Sequence, residues 1–207
     1  MKQNLSLSPE AFLPVHTGVE AAALPEGPAL RVVKKDKLLR FDENTYARAR
    51  GVKFRDGFLE LKMKSRLLPD APDFARGFIG VVFRANEENS EFESFYLRPT
   101  NGRSCPDPVR RAHGCQYFSY PGYTFEYFRE FGIPGYEAPA DIELDEWFTL
   151  KAVIQGSRAE FYLNGSAQPL LVVPALKHGA GAPGGVGIFV DIGTEAFVSD
   201  FTVTALD

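Results

Sequence analysis

Between residues 58 and 67 apolar and charged side chains alternate, with Leu59, Leu61, Met63 and Leu67 on one face and Glu60, Lys62, Lys64 and Arg66 on the other. A period of two belongs to a strand with one wet face; a helix would repeat its apolar positions about every 3.6 residues. Residues 78–83 are almost continuously apolar, as a central strand requires, and 92–98 alternate again after a polar turn at 86–90. Residues 147–154 and 158–163 read as two strands joined at Gln155-Gly156-Ser157, and Asn164-Gly165 predicts a tight hairpin into a third. Strands at 185–190 and 196–203 complete an all-β pattern, leaving only 8–13 and 106–113 for helical turns. The 18 Phe and 8 Tyr, against 2 Met, suit strands better than helices.

A formal net charge of -4 gives no global field that would draw in nucleic acid, and no apolar run approaches the ~18 residues of a membrane span. The expected partner is therefore neither nucleic acid nor membrane. The first residues lack the apolar stretch of a secretory leader, which implies a cytoplasmic protein, or a secreted one if a leader has been trimmed. Cys105 and Cys115 would pair only in an oxidising compartment, and with His113 as the sole nearby histidine they do not make a zinc site.

The stretch from Trp147 through Lys151, Gly156 and Phe161 to Asn164-Gly165, followed by residues 184–190 and 196–203, resembles the concanavalin A-like lectin/glucanase superfamily. The nearest likeness is to laminin-G-like jelly rolls and the bacterial domains associated with 3-keto-disaccharide hydrolysis. With 57–98 the resemblance covers about two-thirds of the chain. It implies a single jelly-roll domain over 1–207, a two-sheet antiparallel sandwich with a long loop insertion at 99–146. The N-terminal residues are expected to pair along an edge or against the final strand. It also implies a small saccharide or glycan as partner and no cofactor beyond a structural calcium, for which Asp200 is the suggested position. Glu93 falls where the keto-disaccharide family carries a strand acid; a solvent-facing strand residue is the alternative reading.

Five arginines (98, 103, 110, 111 and 129) oppose three acids (Asp107, Glu126 and Glu130) between residues 96 and 131, a local excess of cation inside an acidic chain. Nine aromatics stand at 117–136. Guanidinium groups suit carboxylates or paired sugar hydroxyls, and aromatic faces suit the C–H surface of a pyranose; the alternative is a loop stapled by arginine over a small aromatic core. The expected binding residues are Arg84, Tyr96, Arg98, Asn101, Arg110, Arg111, Gln116 and Tyr117, with Arg98, Arg110, Arg111 and His113 orienting the ligand. Glu137, His113 and Glu93 are the candidate acid–base groups. A glycosidase needs two carboxyls about 5–9.5 Å apart. The laminarinase-type E-x-D-x-x-E strand is absent, which leaves a hydrolase- or lyase-like enzyme and a non-catalytic glycan-binding module both open. A pair of carboxyls, or a carboxyl with His113, converging in one cleft would favour the enzyme. A third reading is an interaction domain whose sheet is filled by the 99–146 segment.

Overall fold

The computed structural model describes residues 1–35 and 40–206. Its strands are β1 (Lys2–Asn4), β2 (Phe12–Val15), β3 (Thr17–Leu24), β4 (Gly27–Lys34), β5 (Tyr46–Ala49), β6 (Gly57–Leu67), β7 (Ile79–Ala85), β8 (Phe92–Leu97), β9 (Cys115–Tyr120), β10 (Glu137–Ala138), β11 (Phe148–Gln155), β12 (Arg158–Leu163), β13 (Leu171–Val173), β14 (Gly185–Val190) and β15 (Thr194–Ala205). They form two antiparallel sheets. The eight-stranded sheet runs β13-β12-β11-β6-β15-β4-β3, with β1 on the second half of β15; the seven-stranded sheet runs β10-β9-β8-β7-β14-β5-β2. The expected jelly-roll sandwich is thus present, and its N-terminus pairs with the final strand. Among the described residues no helix is long and apolar enough to cross a membrane.

Alternation decides which side chains meet between the sheets. Leu59, Leu61 and Met63 of β6 and Leu150, Ala152 and Ile154 of β11 face Val81, Phe83 and Phe95 of the other sheet, all essentially inaccessible. Phe95 stacks on Phe161 with ring centroids 4.0 Å apart. Full burial of one such side chain contributes about 1.5–3 kcal/mol, so this layer is the main source of stability.

Three local expectations are corrected. Residues 99–146 are not one irregular loop: β9 pairs along β8 as a full member of the seven-stranded sheet, and two helical segments, α1 (Pro108–Arg111) and α2 (Phe125–Glu130), flank it. The second lies outside the two stretches expected to hold helical turns, and Thr124 caps it by accepting from Tyr127 N at 3.3 Å. Asn164 and Gly165 do take positive φ (52° and 71°) in a tight turn, but residues 166–170 intervene before β13. The outer face of β6 is not wholly wet either. Lys64 is 1% exposed, bonded to Glu26 at 2.9 Å and held 5.0 Å over the Trp147 ring, so Trp147 lies outside the sandwich interior.

The seven-stranded sheet carries a second apolar layer on its outer face. Tyr46, Val82, Phe92, Tyr96, Phe118 and Phe189 project there from five neighbouring strands, with Phe41 and Phe78 packed against them. Tyr96 stacks on Phe189 at 5.2 Å and Phe118 meets Phe189 edge-on at 5.1 Å. Most of the face is therefore filled by the chain's own rings, and a cavity opens beyond Tyr96, where Arg98 directly follows β8.

Candidate functional site

Because strand side chains repeat every second residue, Tyr96 and Arg98 project from the same side of the sheet, and the guanidinium lies 5.1 Å over the Tyr96 ring. Arg98 is 4% exposed and forms a hub. It donates to Glu137 Oε1 at 2.8 Å, to the Tyr96 hydroxyl at 2.9 Å, to Gln116 Oε1 at 3.3 Å and to the His113 carbonyl at 3.3 Å. Above it opens a cavity of about 260 Å³, close to the lower end of the range for small-molecule sites.

One wall of this cavity is aromatic. Phe41 meets Phe74, Phe78 and Phe125 edge-on, with centroids 5.5–5.7 Å apart. Phe125, the first residue of α2, is flanked by the guanidinium of Arg98 at 5.5 Å and that of Arg129 at 4.9 Å. The wall is anchored from beneath by Asp42, whose Oδ2 accepts from Phe125 N at 2.8 Å and whose own N–H donates to Asp191 Oδ2 at 3.1 Å. Lys34 completes this buried chain, 2.7 Å from Asp191 Oδ1. Asp42 Oδ1 is enclosed without a hydrogen-bond partner. Burial pushes the Asp42 carboxyl up to about 7, and the neighbouring Asp191 charge adds to the shift.

The other wall is polar. Asn101 donates to the His113 carbonyl at 3.1 Å and accepts from Arg110 at 3.2 Å; Arg110 also bonds Thr100. Arg76 donates to the carbonyls of Asp73 and Ala75. Among the described residues neither Arg76 nor Arg110 has a carboxylate within ion-pair distance. Burial lowers the pKa of Arg76, and the positive charges of Arg110 and Arg98 lower it further.

Glu137 stands behind the ridge formed by His113 and Arg129. Burial works to raise its pKa, but hydrogen bonds and charge from Arg129 and Arg98 prevail and hold the carboxyl below its usual range. Arg129 reaches both Glu137 oxygens, at 2.5 and 3.0 Å. His113 Nδ1 lies 3.0 Å from Glu137 Oε2 without the alignment of a hydrogen bond. The same ridge borders a second hollow of about 290 Å³, floored by Phe128 and Tyr136.

Of the expected binding residues, Arg98, Asn101 and Arg110 line the cavity together with His113, while Tyr96, Gln116 and Glu137 lie directly behind and bond to Arg98. The others lie elsewhere. Arg84 is a staple, bonded to the carbonyls of Arg55, Gly156 and Gly179 and to Asp56. Glu93 is neither solvent-facing nor in the cavity: it is 1% exposed and accepts from the Tyr117 hydroxyl at 2.5 Å and from His178 N at 3.0 Å. Tyr117 points to that same inner side, and burial raises its pKa strongly. Arg111 is exposed beside a different, shallow hollow. Asp200 is exposed on β15, and among the described residues no group of three acidic, histidine or cysteine side chains is placed to hold a metal ion, so Asp200 has no such partners for a structural calcium. Cys105 and Cys115 are unpaired thiols, both buried.

Sequence reasoning missed Phe41, Phe74, Arg76 and Phe78, which reach the cavity from the two segments before β5 and β7. No spacing signals this, because the approach depends on how those loops cross the sheet.

No protein-family model matches the sequence and no curated protein is similar to it. Solved structures are similar in fold. A carbohydrate-binding module, CBM66 from Bacillus subtilis, shares 13% identity over 92% of this chain and 97% of its own, with a TM-score of 0.58. A protein of unknown function with a galectin-like fold, also from Bacillus subtilis, shares 12% identity over 98% and 93%, at 0.56. A β-glucanase from Bacillus licheniformis shares 12% over 99% and 92%, at 0.50. With its two antiparallel sheets in this arrangement, the chain has the concanavalin A-like jelly-roll fold.

Proposed function

We propose that the cavity above Arg98 binds a saccharide. The observation that carries this reading is the pairing of an aromatic wall (Phe41, Phe78 and Phe125) with the polar side chains of Arg98, Asn101 and Arg110 in the lining of one small cavity. Apolar C–H faces of a sugar ring match the first set and its hydroxyls the second. The names of the fold neighbours, a carbohydrate-binding module and a β-glucanase, support the same class of ligand. Two-carboxylate glycoside hydrolysis finds no support, because Glu137 is neutralised by two arginines and Glu93 lies inside the sandwich.

The test is calorimetric titration with a panel of neutral and acidic oligosaccharides. Saturable binding is expected, weakened about tenfold or more by Phe125→Ala; absence of binding to every member overturns the reading. A second, catalytic reading rests on the 3.0 Å approach of His113 Nδ1 to Glu137 Oε2, which brings a carboxylate beside the imidazole that would act as the general base. Chromatographic detection of shortened or altered sugars, lost in His113→Asn while binding persists, selects that reading; unaltered sugars reject it.

A further inference from the structure

We propose that the saccharide bound above Arg98 is anionic, carrying an oxyanion such as a uronate carboxylate or a sulfate ester that seats between Arg76 and Arg110. The inference rests on the saccharide reading above and specifies its substrate class. Four guanidinium groups line the cavity, from Arg76, Arg98, Arg110 and Arg129, and among the described residues no carboxylate does. Glu137, behind the cavity, is committed to two of the four, Arg98 and Arg129. Arg76 and Arg110 are left with carbonyl, amide and hydroxyl partners, which satisfy donors without cancelling charge.

If arginine served only to staple this segment, each would be expected to resemble Arg84, which sits against Asp56 and three carbonyls. Instead two cations without a carboxylate partner among the described residues line the same cavity, and the charge of Arg110 disfavours that of Arg76. A neutral sugar would leave that repulsion in place, whereas an oxyanion relieves it and accepts the charge-assisted, often bidentate hydrogen bonds that guanidinium favours. The rings of Phe41, Phe78 and Phe125 place low-polarity surface beside the guanidinium groups, which strengthens such a pair relative to one on an open surface. The chain as a whole is acidic, so the preference is local and does not come from a general attraction for polyanions.

The test is affinity electrophoresis and titration of the full chain with polygalacturonate, alginate, dextran sulfate, neutral dextran and inulin, and with benzoate as a carboxylate that is not a sugar. The expected result is retention by a uronate polymer at least tenfold stronger than by the neutral polymers. Arg76→Gln and Arg110→Gln should each weaken it about tenfold without lowering the melting temperature, while Arg111→Gln, outside the cavity, leaves it unchanged. Retention by dextran sulfate alone, with the same response to these variants, keeps the proposal and identifies sulfate as the oxyanion. Equal or stronger retention by dextran or inulin overturns the proposal but keeps the saccharide reading. Binding of benzoate with no polymer retained overturns the saccharide reading. No binding at all, or binding that responds to Arg111→Gln as much as to Arg110→Gln, overturns the proposal.

Discussion

Arg98, which directly follows β8, donates to Glu137 Oε1 at 2.8 Å, joining the interior of the seven-stranded sheet to its edge strand β10 across 39 residues of chain. Arg129 grips the same carboxylate from α2, so one acid fixes two of the four cations that line the cavity. The ridge between the two hollows exists because of this shared partner.

Arg98→Ala is therefore expected to damage the fold and not only the site. It leaves the Tyr96 hydroxyl, Gln116 and one side of Glu137 without their donor in a buried place, at a cost of about 3–5 kcal/mol. For a chain of this size that corresponds to roughly 6–20 °C in melting temperature. Arg111→Ala, an exposed residue, should shift stability by no more than about 0.5 kcal/mol. Thermal melts of the two variants side by side check the contrast.

Glu137→Gln removes the charge but keeps the shape, and should cost about 1.5–3 kcal/mol at neutral pH. The carboxyl's pKa is lowered on folding, so its contribution is present above the ordinary value of 4.5 and is lost as pH falls through the lower folded value. The melting temperatures of wild type and Glu137→Gln should accordingly converge below about pH 4.5, as melts from pH 3 to 7 would reveal. A gap that persists undiminished at pH 3 contradicts this assignment.

Asp42 predicts the opposite slope. Its pKa is raised on folding from 3.8 to about 7 by burial, so the folded state holds a proton that the unfolded chain has released. Stability is lost as pH rises between those values, by an amount on the order of 4 kcal/mol, and the loss is complete above the upper one. Asp42→Asn keeps an acceptor for Phe125 N and cannot ionise. Its melting temperature relative to wild type should climb from about pH 4 to 7 and then level; a difference independent of pH would refute the prediction.

Gly80 on β7 lies under Tyr96, and a Cβ there would stand 2.0 Å from the Phe95 carbonyl oxygen and 2.5 Å from Tyr96 Cα. Both are backbone atoms of the neighbouring strand and cannot turn aside. Gly80→Ala should force β7 and β8 apart directly beneath Arg98, costing on the order of 3 kcal/mol. Loss of amide protection along residues 93–97 in hydrogen exchange would locate the damage there; unchanged protection would show that the strands absorb the methyl.

Local chemistry carried much of the fold. The alternation at 58–67 and 158–163, the turn at Gly156 and the apolar run before Arg84 each have one dominant physical solution, and the strands at those positions follow it. The arginines and aromatics of 96–136 likewise marked the segment that builds the cavity, because such a density of cation and ring needs either a ligand or a partner. Which residues face the cavity was decided only in three dimensions. Arg84 and Arg98 are both buried strand-end arginines, yet Arg84 meets the carbonyls of three loops and Arg98 meets a cavity. Glu93 and Tyr117 fall on the inner side through strand parity, while Tyr96 and Gln116 fall on the outer. Phe41 and Arg76 come from distant loops that fold over the sheet edge, and long-range contacts of that kind leave no periodic trace in a sequence.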